Sequence, residues 1–148
     1  MKHYERIPFH QVRITGGFWQ TRQQINRETT VQAVYNRFSD THRFEALACQ
    51  WHEGMPNRPH IFWDSDVAKW MEGVAYLLQE KRDEHLEKLV DHAVEDIIRN
   101  QDELGYFNSH FLVTRQDDRF KIRNVQADFL HLNAQIFDLL DYLGNLLF

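Results

Sequence analysis

Residues His60 to Trp70 read HIFWDSDVAKW and crowd two carboxylates, a lysine, a histidine and two tryptophans into one short stretch. Asp64 and Asp66 flank Ser65. Two carboxyl groups held roughly 5 to 9.5 Å apart are the pair that glycoside hydrolysis uses as acid, base or nucleophile. Aromatic faces also pack on sugar C–H faces, while carboxylates, amides and imidazoles bond to sugar hydroxyls. His60, Trp63, Asp64 and Asp66 are therefore candidate carbohydrate-binding residues. A second group, Tyr106 and Asn108, lies in GYFNSH, in a connection between helical segments, where ligand-binding residues concentrate.

Each of these residues also has a purely architectural role open to it. Asp64 or Ser65 suits a helix N-cap and Asp66 the first turn beside the helix dipole, a cap being worth about 1 kcal/mol. Trp70 falls on an apolar stripe and belongs to the core, while Trp63, ahead of the helix, suits either role. Lys69 lies off the stripe, solvated or paired with Glu72 or Asp66. Asn108 fits the cap of a packed turn. Of the nine histidines, His42, His52, His60, His85 and His92 show no i, i+4 pair of the kind that binds a metal on one helix face.

The elements that position these residues are helical. Val67, Trp70, Met71, Val74, Ala75 and Leu78 form an i, i+3, i+4, i+7 stripe, and Leu86, Leu89, Val90, Ala93, Val94, Ile97 and Ile98 repeat it after the polar link EKRD. So short a link between amphipathic helices predicts an antiparallel αα-hairpin. Gly105 is the expected breaker of the second helix. Upstream, Trp19, Arg22, Asn26, Thr29, Ala33 and Phe38 recur at helical steps, after a lead-in with a candidate strand at HQVRIT. Ser39 to Pro59 has breakers and no sustained period, as a partly helical connection would. Phe129, Leu132, Ile136, Leu139, Leu140, Leu143 and Leu147 predict a last helix.

Composition narrows the function classes. A chain of 148 residues with 43% hydrophobic content can bury one core. A mean hydropathy of −0.60 and the lack of an apolar run near the ~20 residues of a spanning helix argue against membrane insertion. The charged N-terminus MKHYERIPFH lacks the apolar stretch of a secretory signal. A net charge of −5 with both signs interspersed offers nothing to nucleic acid or an anionic membrane. Cys49 is the one cysteine, which excludes an intrachain disulfide and a multi-thiolate metal site within this chain and fits a reducing cytoplasm. GxGxxG, GxxxxGK[ST], GxSxG and HExxH are absent.

Three stretches, GGFWQTRQQINRETTV, HIFWDSDVAKWMEGVAYLL and IIRNQDELGYFNSHF, resemble in order and spacing the N-terminal part of glycoside hydrolase family 127. That family comprises non-reducing-end β-L-arabinofuranosidases with an (α/α)6-barrel catalytic domain. The resemblance covers roughly Val12 to Phe120. It implies an all-α fold, a partial (α/α)6 barrel of helical hairpins with a short extended N-terminal lead-in. Residues 1–120 are assigned to the barrel domain and 121–148 to a divergent C-terminal helical segment.

The family's chemistry uses a zinc-bound cysteine thiolate as nucleophile, further cysteines and a glutamate as zinc ligands, and a second glutamate as acid/base. None has a counterpart here, so no cofactor is expected in this chain and zinc only in the complete family enzyme. After DRF the family's HELYxxGH motif is replaced by KIRNVQADFLHLNAQIFDLL, in which His131 is a surviving token. The resemblance thus predicts an inactive N-terminal remnant of a β-L-arabinofuranosidase-type enzyme, with carbohydrate as ligand. The apolar pattern still running at LGNLLF predicts self-association or a complementing chain. A small all-α interaction module and one chain of a split glycosidase are the alternatives.

Overall fold

The computed structural model describes Ile7 and residues 11–119. The helix predicted for residues 121–148 lies outside them. Among the described residues six α-helices follow one another: α1 (Gly17–Ile25), α2 (Val31–Asp40), α3 (Arg43–Ala46), α4 (Trp63–Glu80), α5 (Glu84–Asn100) and α6 (Ser109–Thr114). No strand occurs among the described residues. The all-α expectation holds, and the hairpins are compatible with a partial (α/α)6 barrel. The strand expected at HQVRIT does not form within residues 11–15, which pair with no extended segment among the described residues.

The hairpin of α4 and α5 forms as its periodicity predicts. Lys81, Arg82 and Asp83 turn the chain back. Val67, Met71, Val74 and Ala75 of α4 meet Leu86, Val90, Ala93 and Ile97 of α5 in one core, joined by Trp70, Val31, Leu47 and Phe107. Burial of a full aliphatic side chain contributes about 1.5–3 kcal/mol, so this interface dominates the stability of the described residues. Asp83 starts α5, its carboxylate accepting the N–H groups of His85 and Leu86 at 3.0 and 3.2 Å. Gly105 does not end this helix. The helix closes at Asn100, where Gln101 turns extended, and Gly105 takes φ 76° inside the following turn.

Helices α1 and α2 form a single rod, because the π-helical turn Asn26–Thr30 between them keeps right-handed dihedrals at its ends. The helix expected along Trp19, Arg22, Asn26, Thr29, Ala33 and Phe38 forms, but α1 buries no residue, and Trp19 is 66% exposed. Apolar packing begins only after the π turn, where Val31 is buried and Val34, Tyr35 and Phe38 pack on the core. The wide turn carries one extra residue, and that shifts the downstream face by about 100°. Arg27 within this turn reaches the end of α4, donating to the carbonyls of Leu77 and of Lys81 (3.1 Å) and pairing with Glu80 at 3.4 Å. A guanidinium there satisfies orphan carbonyls and opposes the negative end of the helix dipole. Trp70 closes the same contact, its indole N–H donating to the Val31 carbonyl at 3.0 Å.

Candidate functional site

Two stretches far apart in sequence run side by side. The Pro59 carbonyl accepts from His110 Nδ1 at 2.7 Å, and the Ile61 carbonyl accepts from Asn108 Nδ2 at 3.5 Å. Between them, Asp64 takes both donors of Ser109: the backbone N–H on Oδ2 at 2.8 Å and the hydroxyl on Oδ1 at 2.6 Å. Residues 59–64 and 108–110 are thereby fastened by four polar bonds. Asp64, Asn108 and Ser109 are all buried, at 3%, 0% and 0% exposure.

This arrangement reassigns the caps. Neither Asp64 nor Ser65 caps α4, whose N-cap is Phe62 with no side-chain bond; the Ser65 hydroxyl instead donates back to the Phe62 carbonyl at 2.8 Å. The Asp64 carboxylate serves α6, forty-five residues on, where the buried Ser109 N–H, one of the orphan donors of a helix start, takes it as partner. Asn108 is the N-cap of α6, its Oδ1 accepting from Phe111 N–H at 3.1 Å.

Burial governs the electrostatics. It pushes the Asp64 carboxyl up to about 6, against the two Ser109 bonds, which favour the ionised form. The Tyr106 phenol is raised to about 12, first by burial and then by the charge of Asp64. Tyr106 sits in a turn organised by Asp102, whose Oδ1 accepts the N–H groups of Leu104 and Tyr106, both at 2.9 Å. Asp102 also pairs with Arg119, and that guanidinium lies 5.6 Å over the Tyr106 ring. The His110 imidazole is lowered from its ordinary value by burial, the Pro59 bond opposing and Arg58, Arg115 and His60 adding to the shift.

Of the six residues proposed from sequence, His60, Asp64, Tyr106 and Asn108 come together at this seam. His60 is exposed, and its Nδ1 accepts from Phe62 N–H at 3.3 Å. Trp63 and Asp66 lie beside Arg43. Asp66 pairs with Arg43 at 3.1 Å, and the same guanidinium lies 5.7 Å over the half-buried Trp63 ring. Asp66 therefore does not pair with Lys69, which is exposed. The two aspartates of DSD serve different elements. Beside Asp66 an open groove of about 280 Å³ runs between α2 and α4, floored by Val31, Val34, Phe38 and Trp70.

Three residues of this region were not singled out by sequence reasoning: Ser109, His110 and Arg43. Their partners lie 45, 51 and 23 residues away, and no periodicity signals a pairing of that kind. The adjacency of Ser109 and His110 to Asn108 in GYFNSH was the one available cue.

Residues 11–139 match the family described as Beta-L-arabinofuranosidase, GH127 catalytic domain. No curated protein and no solved structure matches the chain. A zinc-bound thiolate does not fit the residues in hand. Cys49 is the only cysteine of the sequence, and its thiol is pushed up to about 12 by burial and by the charges of Asp64 and Asp96. A thiol held in its protonated form is a poor nucleophile and a poor ligand. Among the described residues no three His, Cys, Asp or Glu side chains gather where a metal ion could be held. No described helix is long and apolar enough to cross a membrane.

Proposed function

The chain is a member of the GH127 β-L-arabinofuranosidase catalytic-domain family, and from that premise we propose that it supplies a carbohydrate-facing edge of such a domain without cleaving glycosides by itself. His60 and Trp63 meet the sugar, the first through its imidazole and the second through its ring face. Asp64, Tyr106 and Asn108 act behind them as positioning residues. Asp66 sets the Arg43 guanidinium against Trp63. The supporting observation is the four-bond seam that fixes residues 59–64 on 108–110, because a binding segment that is ordered beforehand loses less entropy when it meets its ligand.

Cleavage is assigned to residues outside this set. The one thiol stays protonated, and Asp64 and Asp66 do not converge on a common partner. The test is an NMR titration of the purified chain with methyl β-L-arabinofuranoside, run beside an assay with p-nitrophenyl β-L-arabinofuranoside. Shifts confined to the Trp63 indole and His60 ring, abolished in Trp63→Ala, together with no p-nitrophenol release, are expected. Absence of such shifts, or turnover by the isolated chain, overturns the proposal.

A further inference from the structure

The segment that carries His60 holds a chemistry that neutral-sugar binding leaves unused. The chain is acidic overall, at a net charge of −5, yet basic side chains flank the point where the 51–60 loop is bonded to α6, His110 Nδ1 on the Pro59 carbonyl at 2.7 Å. Arg58, His60 and Arg115 are exposed and His110 is half-buried. After burial, Arg58, Arg115 and His60 each lower the His110 imidazole from its ordinary value, so all three lie near this one ring. Arg115 lies 3.7 Å from Asp118, a long contact for a guanidinium with five donors.

The groups are aimed as well as charged. His110 donates from Nδ1 to the Pro59 carbonyl, and the seam below it holds that segment in place. His60 accepts on Nδ1 from Phe62, which leaves the proton on Nε2 to donate outward. The Arg58 guanidinium lies 5.6 Å over the Trp51 ring. That indole is itself fixed, its N–H shared between the carbonyls of Met55 and Pro56, both at 3.1 Å. A guanidinium fork matches a carboxylate with two parallel bonds, and an aromatic plane beside it suits the C–H face of a sugar ring.

We propose that Trp51, Arg58, His60, His110 and Arg115 form a site for the carboxylate of an acidic saccharide unit, a uronate. The inference rests on the reading of His60 and its neighbours as sugar-facing and adds the charge of the ligand to it. Trp51 supports the ring, and Arg58 and Arg115 take the carboxylate. His60 supplies an N–H donor.

The test is an NMR titration of the full chain with sodium D-galacturonate, D-galactose, methyl β-L-arabinofuranoside and sodium acetate. The first two differ only in whether C6 is a carboxylate or a hydroxymethyl group. Galacturonate is expected to bind about tenfold more tightly than galactose, with the preference shrinking as salt is raised. Arg58→Gln with Arg115→Gln, both changes at exposed positions, is expected to abolish the preference while the thermal melt stays put. Equal affinity for galacturonate and galactose overturns the inference, as does acetate binding as tightly as galacturonate, or a preference that survives the double substitution. Arabinoside shifts at Trp63 without a galacturonate preference leave the sugar-facing reading standing and sink only the uronate. A galacturonate preference without arabinoside shifts does the reverse, and no binding by any of the four overturns both.

Discussion

Helix α4 is held in two different ways along its length. From Val67 to Leu77 it packs on α5 and α2 through aliphatic side chains and Trp70, an interface built by area and shape. At its start, Asp64 faces residues 108–110 through a buried carboxylate, a hydroxyl and backbone amides, with Ala68, Tyr106 and Phe111 as a small apolar cluster alongside. The apolar stretch gains from every buried methylene and tolerates exchange of one aliphatic for another of equal volume. The polar seam gains little per bond but loses heavily if one partner goes, because the other is left buried without a bond. In the proposed function, the sugar-facing residues rest on the second kind of contact. The seam fixes where His60 presents its imidazole, while the apolar interface keeps α4 in place beneath it.

The contrast can be broken from either side. Met71→Ala empties a fully buried site in the hairpin core and is expected to cost about 2–5 kcal/mol in urea denaturation. Its sugar-induced shifts should survive wherever the chain remains folded. Asp64→Ala leaves the N–H and hydroxyl of Ser109 buried and unpaired, at a cost of about 1–3 kcal/mol, and should erase those shifts even at temperatures where the chain is fully folded.

The seam also carries a pH signature that the apolar core lacks. Folding raises the Asp64 carboxyl from its ordinary 3.8 to about 6, so the folded state favours its protonated form. The contribution is therefore complete below pH ~4 and is lost as the pH rises through about 6. Stability measured from pH 4 to 8 should fall across that window in the wild-type chain. Asp64→Asn keeps an acceptor for the Ser109 N–H and a donor for its hydroxyl, and its stability should lack the fall. A profile unchanged by Asp64→Asn would show that another group titrates.

The same division explains what the sequence made legible. The hairpin was readable because its signal is local: apolar residues three and four apart place α4 and α5, and a short polar link forces them together. Helix α1 carries a similar apparent stripe, yet Phe18 and Trp19 remain exposed, since periodicity states which face could be buried and not whether a partner lies opposite. The π turn added a rotation that no propensity announces. The residues of HIFWDSDVAKW were legible as a chemical group, but their assignments were not. A carboxylate at a helix start reads as that helix's own cap, and only the fold shows Asp64 spending its two oxygens on a helix forty-five residues away. Long-range polar pairing depends on the path of the chain, which neither composition nor spacing encodes.

The central claim is that the Asp64 carboxylate holds residues 108–110 against the segment carrying His60. Amide hydrogen exchange at Ser109 tests it most directly. In the wild-type chain the Ser109 N–H, bonded to Asp64 Oδ2 at 2.8 Å and fully buried, should exchange slowly. In Asp64→Ala that protection should collapse while the amides of Val90 and Ala93 in the hairpin core keep theirs. Fast exchange at Ser109 in the wild type, or protection unaltered by Asp64→Ala, would contradict the account.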